Sequence, residues 1–225
     1  MSRPTTIYVD LERLEAAGKA SLIIRLMMAC NDISLANQCL SKFKEEPRTR
    51  KHIQRGAEMY FVRLQCGHLK EGIELIREIR DDKTLYETVK RCYPSAKDSF
   101  AKLANCLPGG PDHQRFEQYV GRIRHQTVFH YDNKLVLRAL SDRASRPEAR
   151  RSKITAGSDM SLWRFELADD IQDSIACRQI WRIPRNADLR KCADECLHFG
   201  ADLCKSFLDF CGDFILRYIT EHAQV

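Results

Sequence analysis

The stretch CADECLHFGADLCKSFLDFCGDF, Cys192 to Phe214, decides the fold class. Phe199, Leu203, Phe207, Phe210 and Phe214 recur at helical spacing, and Cys192 and Cys196 extend the series backwards. At about 3.6 residues per turn these positions make one apolar stripe along a helix. The pattern predicts a long helix from about Asn186 to Ile219, with its stripe in the core or, as the rival, against a second subunit.

The same periodicity continues outward along nearly the whole chain. A first helix is predicted from Val9 to Cys30, broken or capped at Asn31-Asp32, and a shorter one from Ser34 to Lys44 before Pro47. A long helix from Thr49 to Arg80 would bury Tyr60, Leu64, Ile73, Ile76 and Ile79 on one side. The next runs from Lys83 to Tyr93, stopped by Pro94, and Ser95 caps a series ending at Leu107. Pro108-Gly109-Gly110-Pro111 reads as a loop. Asp112 is a good N-cap for a helix through about Arg124, and Asp132 for one carrying Leu135, Val136 and Leu140. Helices resume from Ser161 to Trp181 and break at Pro184. Ile7-Tyr8-Val9 is a candidate extended segment, but no sheet is expected.

The expected architecture is therefore all-α: a bundle over residues 1–145, an exposed polar linker over 146–160, and C-terminal helices over 161–225. Those last helices pack on the bundle or form part of a dimer interface.

With 225 residues, the chain can bury a core without disulfides or metals. Its 44% hydrophobic and 30% charged residues are the balance of a folded protein, not a disordered one. Lys plus Arg number 37 against 31 for Asp plus Glu, and this +6 permits a polyanionic partner without demanding one. No export signal is visible, and Arg25 interrupts the apolar run around Leu22 and Met28, far short of a membrane span. A cytoplasmic protein with no membrane contact is expected. The ten cysteines, scattered within helical patterns, read as reduced, small apolar core residues.

Several chemistries are set aside. No Gly-rich phosphate loop follows a strand, and no Gly-x-Ser-x-Gly elbow exists. Cys192-x3-Cys196 has helical spacing rather than that of a zinc turn. His68, Glu71 and Glu74 lack the matching Glu-x-x-His pairs of a di-iron bundle. They read as a polar face from which Glu71 could orient a residue on a neighbouring helix.

One segment resists a bland reading: Arg124-His125-Gln126-Thr127-Val128-Phe129-His130-Tyr131-Asp132. Arg122, Arg124, His125 and His130 gather cations at a predicted helix end, where the macrodipole favours them. Phe129 and Tyr131 would pack and fix His130 between them. An uninterrupted helix would set Arg124 and His130 about 240° apart around the axis. A break, a kink or a second subunit must bring them together.

Arg124-x5-His130, with polar His125 directly after the arginine, resembles the signature of the HEPN superfamily of small helical-bundle proteins. The ending Phe129-His130-Tyr131-Asp132 is similar to that of many of its members. The resemblance implies a homodimer without cofactor or metal, acting as an endoribonuclease in defence or toxin–antitoxin settings, with an antitoxin or other protein partner. It implies Arg124 and His130 as the catalytic pair, with His125 contributing beside them. Such chemistry uses the RNA's 2′-hydroxyl as nucleophile. A histidine moves protons near neutral pH, and an arginine fork stabilises charge on the phosphorane. Arg122, Tyr131, Arg143, Arg146, Arg150, Arg151 and Lys153 are the candidate RNA-binding residues, the basic run alternatively being a solvated loop. The competing expectation is a non-catalytic helical module that dimerises or binds a nucleotide or protein.

Overall fold

The computed structural model describes residues 6–45, 51–128, 132–147, 151–156, 158 and 164–225. Asp10 accepts a hydrogen bond from the Arg13 backbone N–H and so starts α1 (Leu11–Ala16), which ends where Gly18 takes a φ of +76°. The following α2 (Ala20–Glu45) runs through Asn31-Asp32 without a break. Both expectations for this region are corrected. The first helix breaks at Gly18, and Asp32 turns its carboxylate to His68 of the next helix at 3.3 Å instead of capping.

The next helix, α3 (Lys51–Asp81), buries Ile73, Ile76 and Ile79 as the spacing predicts, and Leu69 as well. Tyr60, half exposed, and Leu64, only partly buried, depart from the pattern. Asp82 caps α4 (Lys83–Arg91) by accepting from the backbone N–H groups of Thr84 and Leu85. Pro94 ends that run but also opens α5 (Pro94–Ala104), since a first-turn proline lacks an N–H that would have had no partner. Ser95 is therefore not the cap. Asp213 of the last helix instead accepts from the Tyr93 N–H at 2.7 Å.

After the Pro108–Pro111 loop comes α6 (His113–Phe116), which widens into π-helical turns over Glu117–Gly121 and Arg124–Val128. Asp112 precedes it without a side-chain capping bond. Next come α7 (Asn133–Ala144) and an antiparallel pair, β1 (Ile154–Thr155) with β2 (Arg164–Phe165). This small sheet was not expected. Two-residue strands are too short to leave an alternating signature. The following helix, α8 (Glu166–Ser174), starts later than predicted and also ends in a π turn, Ile175–Ile180.

The long final helix, α9 (Leu189–His222), is capped by Asp188 and lies against α5, α2 and α3. Its stripe is core: Phe207, Phe210 and Phe214 are fully buried, and Phe210 meets Phe100 of α5 with ring centroids 4.9 Å apart. Phe199 lies at the edge, T-shaped to Tyr119, with Arg115 stacked 4.4 Å above its ring. Beyond α9 the chain pairs with its own beginning through Val9 and Gln224, and the Asp10 N–H donates to the Ala223 carbonyl at 2.8 Å. The structure is thus an all-α multi-helix bundle with a long C-terminal helix. Among the described residues, no helix is long and apolar enough to cross a membrane.

One backbone position is strained. Arg182 has a φ of 57°, and the Ile183 N–H reaches back to the Cys177 carbonyl at 2.9 Å, a left-handed cap where glycine is normally found. Arg182→Gly is expected to raise stability by about 1 kcal/mol. The urea midpoint checks this, and an unchanged or lower midpoint would count against the strained cap.

Candidate functional site

The π-helical turn Arg124–Val128 has a local cause. The Thr127 hydroxyl donates to the Ile123 carbonyl at 2.8 Å, occupying the acceptor one α-turn back and competing with the backbone N–H that a regular helix would place there. Single π turns recur at functional sites in helices. The Arg63 guanidinium of α3 donates to the Thr127 carbonyl at 3.0 Å, satisfying one of the carbonyls a helix end leaves over. Thr127 itself is buried. The segment is therefore an irregular helix end clasped by α3.

Arg124 stands at the start of this turn with its side chain 31% exposed. Its Nη2 lies 2.8 Å from Glu71 Oε1 of α3, the neighbouring-helix role foreseen for Glu71. Its Nη1 lies 3.2 Å from His125 Nδ1. A guanidinium carries only donors, so in this contact His125 Nδ1 is the acceptor. Arg124 thus faces a carboxylate on one side and the His125 ring on the other, with part of its side chain open to solvent. Arg122 is exposed and has no hydrogen-bond or ion-pair partner among the described residues.

His130, Tyr131 and Arg150 lie outside the described residues. Of the remaining basic candidates, Arg143 donates to Asp170 at 2.6 Å and bridges α7 to α8. Arg146 pairs with Asp142 one turn back at 3.5 Å. Arg151 and Lys153 are exposed ahead of β1. The basic run is thus divided: Arg143 and Arg146 hold carboxylates of this chain, and Arg151 and Lys153 face solvent.

Sequence reasoning missed Lys70 and Arg63. Lys70 of α3 donates to Glu117 at 2.9 Å and Glu74 at 3.1 Å and sits over the Phe116 ring. Burial works against its charge, but the bonds to Glu117 and Glu74 win and hold its pKa above the ordinary lysine value. Both cations lie in the middle of α3, far from the motif in sequence. Their only signal was a charged residue close to the helix's apolar side.

Asp132 caps α7 as expected, accepting from the Lys134 N–H at 2.9 Å and the Leu135 N–H at 3.1 Å. Asp132→Ala is expected to cost about 1 kcal/mol. Thermal unfolding checks the loss, and an unmoved midpoint would show the cap to be dispensable. Between the motif's helix, α7, the strand pair and α8 lies a cavity of about 540 Å³. Val136, Leu140, Ile171 and Ile175 are among its apolar lining residues, and Gln126 and Gln172 among its polar ones.

Among the described residues, no three His, Cys, Asp or Glu side chains converge as a metal site. No family model matches the chain, and neither a curated protein nor a solved structure matches it.

Proposed function

We propose that this chain is a metal-independent endoribonuclease of HEPN type, working as a homodimer on RNA. The observation that carries this reading is Arg124, held partly open to solvent on a widened helical turn with His125 against it. Arg124 would meet the scissile phosphate and stabilise the charge of the phosphorane. His130 would move protons to and from the 2′-hydroxyl and the leaving oxygen. His125 would donate to the phosphate edge, and Arg122, Arg151 and Lys153 would follow the backbone of the strand. An antitoxin or other protein that covers Arg124 would silence the same site.

The test is incubation of purified protein with mixed RNA in EDTA, beside Arg124→Ala and His130→Ala. Cleavage by the wild type alone, with cyclic-phosphate ends, supports the enzyme. Equal background from all three sinks it.

A second reading draws on the Arg124–Glu71 ion pair and on the apolar cavity that Gln126 and Thr127 help to line. The same residues would then serve helix packing in a non-catalytic module for dimerisation or for binding a nucleotide or protein. Unchanged RNA together with a lower melting temperature for Arg124→Ala would favour it.

A further inference from the structure

The strained turn at Arg182 is tied down on both flanks. The Trp181 N–H donates to the Ala176 carbonyl at 2.8 Å and its indole N–H to the Tyr119 carbonyl at 3.1 Å. The Trp181 carbonyl in turn accepts from the Gln118 amide at 3.1 Å. On the other side the Ile183 N–H donates to the Cys177 carbonyl, and the Ile183 carbonyl accepts from Arg178 at 2.9 Å. Trp181 and Ile183 are buried, while Arg182 between them is exposed. Among the described residues, the Arg182 side chain has no hydrogen-bond or ion-pair partner.

A left-handed cap uses backbone groups alone, and glycine would supply them without strain. The cap therefore explains the conformation but not the arginine. Strain that fixed surroundings hold in place clusters at functional positions. A second cation stands at the same joint. Arg122 follows Gln118 by four residues, one turn of helix, and Gln118 is bonded to the carbonyl that adjoins Arg182. Arg122 is likewise exposed and without a partner among the described residues. Glu117, the acid closest to Arg122 in sequence, is held by Lys70.

We propose that Arg182 and Arg122 flank a phosphate-binding site for single-stranded RNA, with Arg182 preset by its strained turn. The assignment rests on the RNA reading above and extends it to the C-terminal part of the chain, beyond Arg124 and His130. Each guanidinium offers a phosphate two donors at once, whatever the base. Residues two apart on a helix point well away from each other, so a strand that meets both Arg122 and Arg124 crosses this helix rather than running along it.

The test is binding of the full chain to a fluorescent 2′-O-methyl oligouridine, followed by anisotropy over a range of salt. This strand has no free 2′-hydroxyl, so it is held without being cut. Arg182→Gly and Arg182→Gln are each expected to weaken binding several-fold at low salt. Each should also flatten the slope of log K against log salt by about 0.7, the loss of one phosphate contact. Arg122→Gln should do the same, and Arg182→Lys should restore most of the slope. Arg182→Gly should bind more weakly while melting later in urea, which separates lost charge from lost fold. Unchanged affinity and slope in both Arg182 variants would overturn the proposal, as would a wild type that binds no strand. Cleavage of unmodified RNA is read separately. No cleavage beside the expected slope change sinks the nuclease reading and keeps the site, and cleavage beside unchanged slopes does the reverse.

Discussion

Phe207→Ala is expected to destabilise the fold by about 3–5 kcal/mol, among the largest losses any one side chain of this protein can cause. Phe207 is fully buried on α9, and its ring lies so close to α3 that a Cβ built on Gly72 would stand 2.7 Å from its Cε2. Truncation would open a void between two long helices whose contact surfaces are fixed by their other side chains, so relaxation can fill little of it. For a chain of this size, each kcal/mol moves the melting temperature by about 2–4 °C, so a fall on the order of 10 °C is expected. Gly72→Ala is the complement: it forces the same ring aside and is expected to cost about 1–3 kcal/mol. Adding Phe207→Leu should offset part of that loss. Strict additivity of the two changes by thermal unfolding would show that they do not share this contact.

The second large effect falls on activity. Under the nuclease reading, His130→Ala is expected to slow RNA cleavage by about 10²–10⁴-fold. Arg124→Ala is expected to slow it by about 10²–10³-fold. Arg124→Lys should recover little, because an ammonium keeps the charge but not the planar fork. Folding and catalysis can be told apart here. The Arg124–Glu71 pair is partly exposed on both sides, so its loss should cost no more than about 1 kcal/mol. Rates fitted to a cleavage time course, beside melting curves of the same samples, check both points. A Lys variant as fast as the wild type would remove the fork from the mechanism.

Much of the fold was legible because burial leaves a period. The α9 stripe pointed to its own burial, and Ile73, Ile76 and Ile79 did the same for α3. Boundaries were less legible where a residue had competing uses. Asp32 looked like a cap but faces His68, and Asp112 precedes a helix without bonding to it. Asp82, Asp132 and Asp188 cap because their backbones hold the extended conformation an N-cap needs. The candidate site was half legible. The demand for a bend between Arg124 and His130 followed from arithmetic, and a π turn stands at Arg124. The Thr127 hydroxyl bonded to Ile123 is a local cause, but the guanidinium reaching across from α3 depends on tertiary contact and leaves no trace in spacing. The ion pair of Arg143 with Asp170 was hidden for the same reason, since a run of basic residues does not reveal which distant carboxylates it will find.

The placement of α9 also bears on how the molecule comes into being. The helix that fills the space between α2, α3 and α5 follows all three in the chain, and it spans 34 residues. At roughly 5–20 residues per second, its synthesis takes about 2–7 s after those helices have been made. Throughout that interval the apolar faces of α2, α3 and α5 lack their main partner. The core of the nascent protein therefore closes only once α9 has emerged.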